Sequence, residues 1–304
     1  MTAPFAVVVN PASGEPAGRE GRTERLRRRF AEAGLEADIH PTGRGRSPGE
    51  AARAAVRSGA ATVVAAGGDG TVSGVADALV AAPRPARLGV VPLGTFNYFA
   101  RGLGLPLDED RAIAVLAGGH LREVHPGCVN GRVFLNNMSL GLYPSILERR
   151  EGIYARWGRS RIAAYWSVVL ALAGMQRPMR LSLTLDGRTR RLRTPLLFVA
   201  RSAFQLETYN LEGAEAVRAG GLAVFAASGT RRRDLARAAL ALARGKPERG
   251  DHFALGTARR LVIGTGRSRS LVARDGEREW MQTPLRVAPA RSALDVHVPQ
   301  EDAG

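Results

Sequence analysis

Lysine is almost absent from this chain. Lys246 is the only one, and arginine supplies the rest of the 44 basic residues, set against 28 acidic ones. A bias of that kind suggests a composition skewed by a GC-rich genome. The resulting net charge of +16 also attracts nucleotide phosphates, nucleic acid or an anionic membrane leaflet. Cysteine is equally scarce: Cys128 stands alone, which excludes an internal disulfide framework and fits a reducing compartment. Aromatic residues make up 6%, with no RNA-binding aromatic signature, and no helix-turn-helix pattern is present, so nucleic acid is not the expected partner. The five histidines, His40, His120, His125, His252 and His297, show no metal-ligand spacing. No apolar run reaches the ~20 residues of a spanning helix; the strongest, Ile162–Met175, is too short and suits a buried helix or one lying on a membrane surface. Met1-Thr2-Ala3-Pro4 lacks a basic stretch followed by an apolar core, so no signal peptide is expected.

What is present organises the chain around Thr62–Val75. A β-branched and apolar run ends in Gly67-Gly68-Asp69-Gly70-Thr71, and an alanine-rich helical pattern follows. Glycines admit close backbone approach, and free amides at a helix start make a seat for phosphate. An aspartate in such a turn repels phosphate directly and suits a magnesium ion or a hydroxyl instead. A second strand, Phe5–Asn10, runs into Asn10-Pro11-Ala12-Ser13-Gly14. A third, Leu88–Val91, runs into Pro92-Leu93-Gly94-Thr95-Phe96-Asn97.

Between and around these strands the pattern predicts helices over Thr23–Ala33, from a Ser47/Glu50 capping box through Arg57, and over Glu109–Ala117. A further strand is predicted at Ala37–His40, followed by Thr42. Strands alternating with helices imply a parallel sheet, whose carboxyl edge is where such sheets bind ligands. From Leu121 onward, short alternating strands and the turns Asp186-Gly187 and Asp275-Gly276 predict an antiparallel sandwich or barrel. Helices near Ser160–Met175 and Arg231–Ala243 interrupt it. The boundary is expected near Gly119, giving an α/β domain over 1–119 and a β-sandwich domain over 120–288.

Taken together, the Asn10–Gly14, Gly67–Thr71 and Pro92–Asn97 motifs, with Phe134-Leu135-Asn136-Asn137-Met138-Ser139-Leu140-Gly141 and Asp275-Gly276-Glu277, resemble the diacylglycerol kinase catalytic-domain family. That family includes sphingosine kinases and bacterial soluble lipid kinases, and the likeness runs through nearly the whole chain. The resemblance implies an ATP-binding α/β domain and a β-sandwich acceptor domain with the active site between them. Residues 289–304 are expected to pack back on the first domain. By position it implies ATP contacts at Asn10, Pro11, Ala12, Ser13, Gly14, Thr42, Gly67, Gly68, Asp69, Gly70, Thr71, Val72, Ser73, Gly74, Gly94, Thr95 and Asn97. It gives catalytic roles to Asp275, Glu277 and Asp69, with Asp69 organising ATP-bound magnesium.

The implied activity is transfer of the ATP γ-phosphoryl group to a hydroxyl of a lipid such as diacylglycerol or a sphingoid base. The implied setting is phospholipid biosynthesis in the cytoplasm, peripheral to the inner face of the membrane, with a second copy of the chain as a further candidate partner. The alternatives are a non-catalytic nucleotide-binding regulator of the same fold and a kinase of a soluble acceptor, as in NAD kinase. Three departures stand out: Ser73-Gly74 and Tyr98 replace family carboxylates, and Ala219-Gly220 replaces an Asp-Gly pair that carries structural magnesium in some members.

Overall fold

The computed structural model describes residues 5–11, 19–43, 45–118, 120–141, 178–227 and 253–300. The expected helices near 160–175 and 231–243, and the Arg231-Arg232-Arg233 run, lie outside the described residues. The chain divides into two compact units, one running to Pro126 and resuming at Ala290, the other spanning Gly127–Pro289. Among the described residues, no helix is long and apolar enough to cross a membrane.

In the first unit, strands β1 (Phe5–Val9), β2 (Ala37–Pro41), β3 (Thr62–Gly67) and β4 (Arg87–Pro92) pair in parallel in the order β2-β1-β3-β4. β3 is buried at every position and β1 and β4 at all but their first. That is the burial expected of parallel strands with both faces covered. Helices α1 (Arg19–Glu32), α2 (Pro48–Arg57) and α3 (Asp69–Val80) connect them. α2 begins at the predicted capping box: the Ser47 amide donates to Glu50 Oε2 at 2.7 Å, and the Glu50 amide donates to Ser47 Oγ at 3.3 Å. α1 starts ahead of the predicted Thr23, at Arg19. It joins α5 (Glu109–Gly118) through Arg25 and Glu109 at 2.7 Å and through Arg29 and Asp110. Leu26, Phe30, Val64, Ile113 and Leu116 form part of the core between these helices and the sheet.

The expected boundary near Gly119 places one strand in the wrong unit. β5 (His120–Val124) pairs antiparallel with β18 (Leu294–Val298), and β18 lies parallel to β4 through Val296 opposite Leu88. Both therefore extend the first sheet, to β2-β1-β3-β4-β18-β5. The alternation over Leu121–Cys128 reads as one antiparallel strand. It is antiparallel but forms two strands: His120–Val124, whose partner is the distant C-terminal strand, and Gly127–Val129, in a sheet of the second unit.

β18 also carries a buried titratable group. His297 is 7% exposed, near the Phe5 ring, with both ring nitrogens lacking a hydrogen-bond partner among the described residues. Burial, and then the charge of Arg87, hold its imidazole below the ordinary 6.5. A depressed folded-state value gives stability that is complete above the unfolded value and is lost as pH falls below it. Wild-type stability is therefore expected to decline as pH drops from 6.5 towards the lowered folded value. His297→Phe should flatten that decline in urea titrations run at pH 5, 6 and 7.5; an unchanged slope would contradict the assignment.

The second unit contains two six-stranded sheets. One runs β10 (Arg188–Thr194), β9 (Met179–Leu185), β14 (Leu261–Gly264), β17 (Leu285–Pro289), β6 (Gly127–Val129) and β7 (Arg132–Phe134). The other runs β13 (Phe253–Ala258), β12 (Leu222–Ala227), β11 (Leu196–Ala200), β8 (Asn137–Gly141), β15 (Arg269–Arg274) and β16 (Glu277–Gln282). All ladders are antiparallel. Met138, Leu140, Val199 and Val224 of one sheet share a core with Leu181, Leu183, Leu261 and Ile263 of the other, so the architecture is the expected sandwich. Two short helices, α6 (Ala203–Thr208) and α7 (Ala214–Arg218), follow β11. They and the short α4 (Tyr98–Gly102) are too brief to show a helical period in the sequence.

Candidate functional site

Parallel order decides which loops meet. With β2, β1, β3 and β4 adjacent, the residues leaving their carboxyl ends form one edge. The Thr42 amide donates to the Val9 carbonyl at 2.8 Å, Asn10 to Ala66 at 3.1 Å and Leu93 to Gly67 at 2.9 Å. Asn10, Pro11, Thr42, Gly67–Thr71 and Gly94–Asn97 therefore lie along one edge of the sheet. Ala12, Ser13 and Gly14 lie outside the described residues.

At the centre of this edge α3 begins with Gly68 as its N-cap, in extended conformation and with no side chain to cap the helix. Its first amides are thus left to backbone, water or a ligand. Gly67 must be glycine because an added Cβ would stand 2.4 Å from Thr71 Oγ1. Gly68 and Gly94 press backbone on backbone: a Cβ on Gly94 would lie 2.4 Å from the Gly68 Cα. Asp69 ties the two loops together, its Oδ1 accepting from the Phe99 amide at 3.2 Å. That bond also serves the start of α4, where Asn97 caps in the left-handed region at φ 51°.

Several of the residues expected to contact ATP also have packing roles. Asn97 is 6% exposed, and its amide group closes the loop on itself. Its Oδ1 accepts from the Gly94 N–H at 3.0 Å, and its Nδ2 donates to the Gly94 carbonyl at 2.8 Å. Thr71, Val72 and Ser73 are buried. Gly74 faces α2, where a Cβ would meet Pro48 Cβ at 3.1 Å. The missing family carboxylate at 74 therefore coincides with close approach of two helices. Thr95 is exposed at the edge. Tyr98, at the second missing carboxylate, stacks on Phe96 with ring centroids 5.4 Å apart and planes 4° apart.

In the second unit the late motif has a definite task. Asp275 turns the β15–β16 hairpin at φ 45°, followed by Gly276 at φ 95°. Both in the left-handed region is what a type I′ turn needs. Its carboxylate accepts three consecutive backbone amides, from Leu135 at 2.6 Å, Asn136 at 2.8 Å and Asn137 at 3.0 Å. In return the Asp275 amide donates to the Asn137 carbonyl at 3.0 Å. The Phe134–Gly141 and Asp275–Glu277 motifs, remote in sequence, are thus one hydrogen-bonded unit. Asp275 is an anchor more than an open base. Glu277 is exposed, and no hydrogen bond or ion pair engages its side chain among the described residues.

Metal fit differs between the two places the resemblance implies. At the first-unit edge, Asp69 is the acid available, and among the described residues no cluster of three or more His, Cys, Asp or Glu could hold an ion. A single carboxylate fits magnesium that takes its remaining ligands from phosphates and water. At the Ala219-Gly220 turn the residues do not fit a metal. Arg201 Nη1 donates to the Val217 carbonyl at 2.9 Å and reaches the Gly221 carbonyl at 3.4 Å. A guanidinium, its charged form disfavoured by burial, here supplies the positive charge at the C-terminus of α7. Arg201 escaped the sequence reading because nothing in its neighbourhood in sequence marks it.

The fold as a whole has counterparts among solved structures. A solved diacylglycerol kinase from Bacillus anthracis str. Sterne has the same fold, with a TM-score of 0.67 and 19% identity over 97% of this chain and 96% of that one. Residues 4–129 match the family model of the diacylglycerol kinase catalytic domain. The chain is 39% identical, across 122 residues, to the probable lipid kinase YegS-like of Pseudomonas aeruginosa (strain UCBPP-PA14). It is 34% identical, across 131 residues, to the diacylglycerol kinase of Bacillus subtilis (strain 168). These alignments cover 39% and 43% of this chain and 40% and 43% of the two relatives.

Proposed function

We propose that the protein is an ATP- and magnesium-dependent lipid kinase that transfers the γ-phosphoryl group to a lipid hydroxyl. The observation that carries this reading is the backbone contact of Gly68 with Gly94 beneath an uncapped α3 N-terminus. It presents two glycine loops to one ligand, and the domain match supports a nucleotide there. Bound magnesium supplies charge neutralisation across the phosphates. The α3 amides and Thr42, Thr95 and Asn10 orient the phosphate chain, and Asp69 positions the metal. Glu277, exposed and unpartnered, takes the proton of the acceptor hydroxyl. The acceptor oxygen bonds to the γ-phosphorus as the bridge to the β-phosphate breaks, and ADP leaves. The +16 charge supports work at an anionic leaflet, on the cytoplasmic side.

The decisive assay gives purified protein labelled ATP, magnesium and vesicles containing diacylglycerol, monoacylglycerol or a sphingoid base. Labelled lipid is expected. Asp69→Asn keeps an oxygen for the Phe99 amide while removing the charge, so it should stay folded and lose on the order of 10²-fold or more in turnover. A water-soluble labelled product would identify a soluble acceptor instead. Tyr98, an aromatic ring where the family carries an acid, favours a second reading as a nucleotide-binding regulator. ATP binding with no turnover on any lipid would establish that reading.

A further inference from the structure

One end of the sandwich carries charge on its inner side. β9 and β10 pair with Leu185 opposite Arg188, Leu183 opposite Arg190 and Leu181 opposite Leu192. Residues opposed in a ladder share a face, and Leu181 and Leu183 belong to the core. Arg188 and Arg190 therefore stand on the core-facing row of β10, the edge strand of its sheet. Among the described residues neither makes an ion pair.

Between this row and β12 and β13 of the other sheet is an open pocket of about 520 Å³. Its base is apolar, formed by Leu183, Leu185, Leu192, Val224 and Ala226, and Arg188 and Arg190 stand at its exposed rim. Asp186 also lines it, but its carboxylate is held by the Arg259 amide, at 3.1 and 3.0 Å, and by the Arg260 amide at 2.8 Å. The rim is therefore cationic and the base greasy. Inward charges on an edge strand discourage edge-to-edge pairing, but that role needs no apolar cavity behind them.

We propose that this pocket binds a single-chain anionic amphiphile. The acyl chain lies on the leucine base and the carboxylate or phosphate head lies between Arg188 and Arg190. The volume falls within the ~300–1,000 Å³ of ordinary small-molecule sites. A bare anion leaves the apolar base wet, and an uncharged lipid leaves two guanidinium groups without the acceptor their geometry suits. The site is lined by second-unit residues alone, and its occupancy requires no phosphoryl transfer.

Calorimetric titration of the full chain with dodecanoate and with monododecyl phosphate, each below its critical micelle concentration and without ATP, tests this. Saturable binding of at least one is expected, and the tighter of the two identifies the head as carboxylate or phosphate. Arg190→Gln should weaken it about tenfold. Arg191→Gln, on the opposite face of the same strand, should leave it unchanged, with thermal melts confirming that both variants fold. No binding of either amphiphile overturns the proposal. So does equal binding of dodecanol or of inorganic phosphate alone, or equal weakening by Arg191→Gln.

Discussion

Asp275→Ala is expected to lower the stability of the second unit by roughly 3–5 kcal/mol. This follows from about 1–3 kcal/mol for each buried amide left without its acceptor, with incomplete additivity among neighbours. Leu135, Asn136 and Asn137 are all buried, so water does not readily replace the carboxylate. Alanine also fits poorly at φ 45°, whereas asparagine tolerates the left-handed region. Asp275→Asn keeps the turn and one oxygen acceptor, and should cost about half as much. Urea titrations of the two variants measure both values; a wild-type melt for Asp275→Ala would refute the anchoring role. The consequence for enzymology is direct. Loss of activity in Asp275→Ala reports a broken hairpin anchor, whereas Glu277→Gln removes an exposed, unpartnered carboxylate. The latter should melt as wild type while turnover falls.

The second large effect concerns Gly94. A methyl group there would approach the Gly68 Cα to 2.4 Å and Asn97 Oδ1 to 2.7 Å. Both obstacles are fixed, one by backbone and the other by its reciprocal bonds to Gly94, so the loops must separate. Overpacking of this kind costs about 1–3 kcal/mol. A displacement on the order of 1 Å at a phosphate site lowers rate or affinity about 10²-fold. Gly94→Ala should therefore bind ATP about 10²-fold more weakly and melt below wild type. Gly43→Ala is the control, since a Cβ at Gly43 meets nothing within 4 Å, and its affinity and melt should match wild type. Equal ATP affinity in the two variants would remove the backbone contact from the proposed site.

The residues differ in how openly they declared these roles. Ser47 and Glu50 were legible because a capping box is local, and Asp275-Gly276 because a type I′ turn is local. Gly67–Thr71 was legible as a strand end, glycine turn and helix start because the three follow one another without a break. Asn97 and Gly74 were less so: their motif positions suggested ligand contacts, and only the structure shows Asn97 bonded to Gly94 and Gly74 packed close to Pro48. Arg201 was silent because its carbonyl partners lie beyond α6, which has no sequence period of its own. The strand at His120–Val124 was visible as a strand, but its unit was not, because its partner β18 arrives from the far end of the chain.

The amino-acid order thus determined the local chemistry: period, caps, turns and the glycine loops, each settled within a few residues by backbone sterics and hydrogen bonding. It also fixed the division into a parallel α/β unit and an antiparallel sandwich, since those two patterns differ in how strands alternate and connect. Tertiary structure decided what depends on partners remote in sequence. It determined that Asp275 holds three amides of Leu135–Asn137, that Gly68 touches Gly94, and that β18 completes the first sheet. It also put Arg188 and Arg190 over an apolar pocket. Each of these is a contact between segments, and contacts of that kind exist only once the chain has closed on itself.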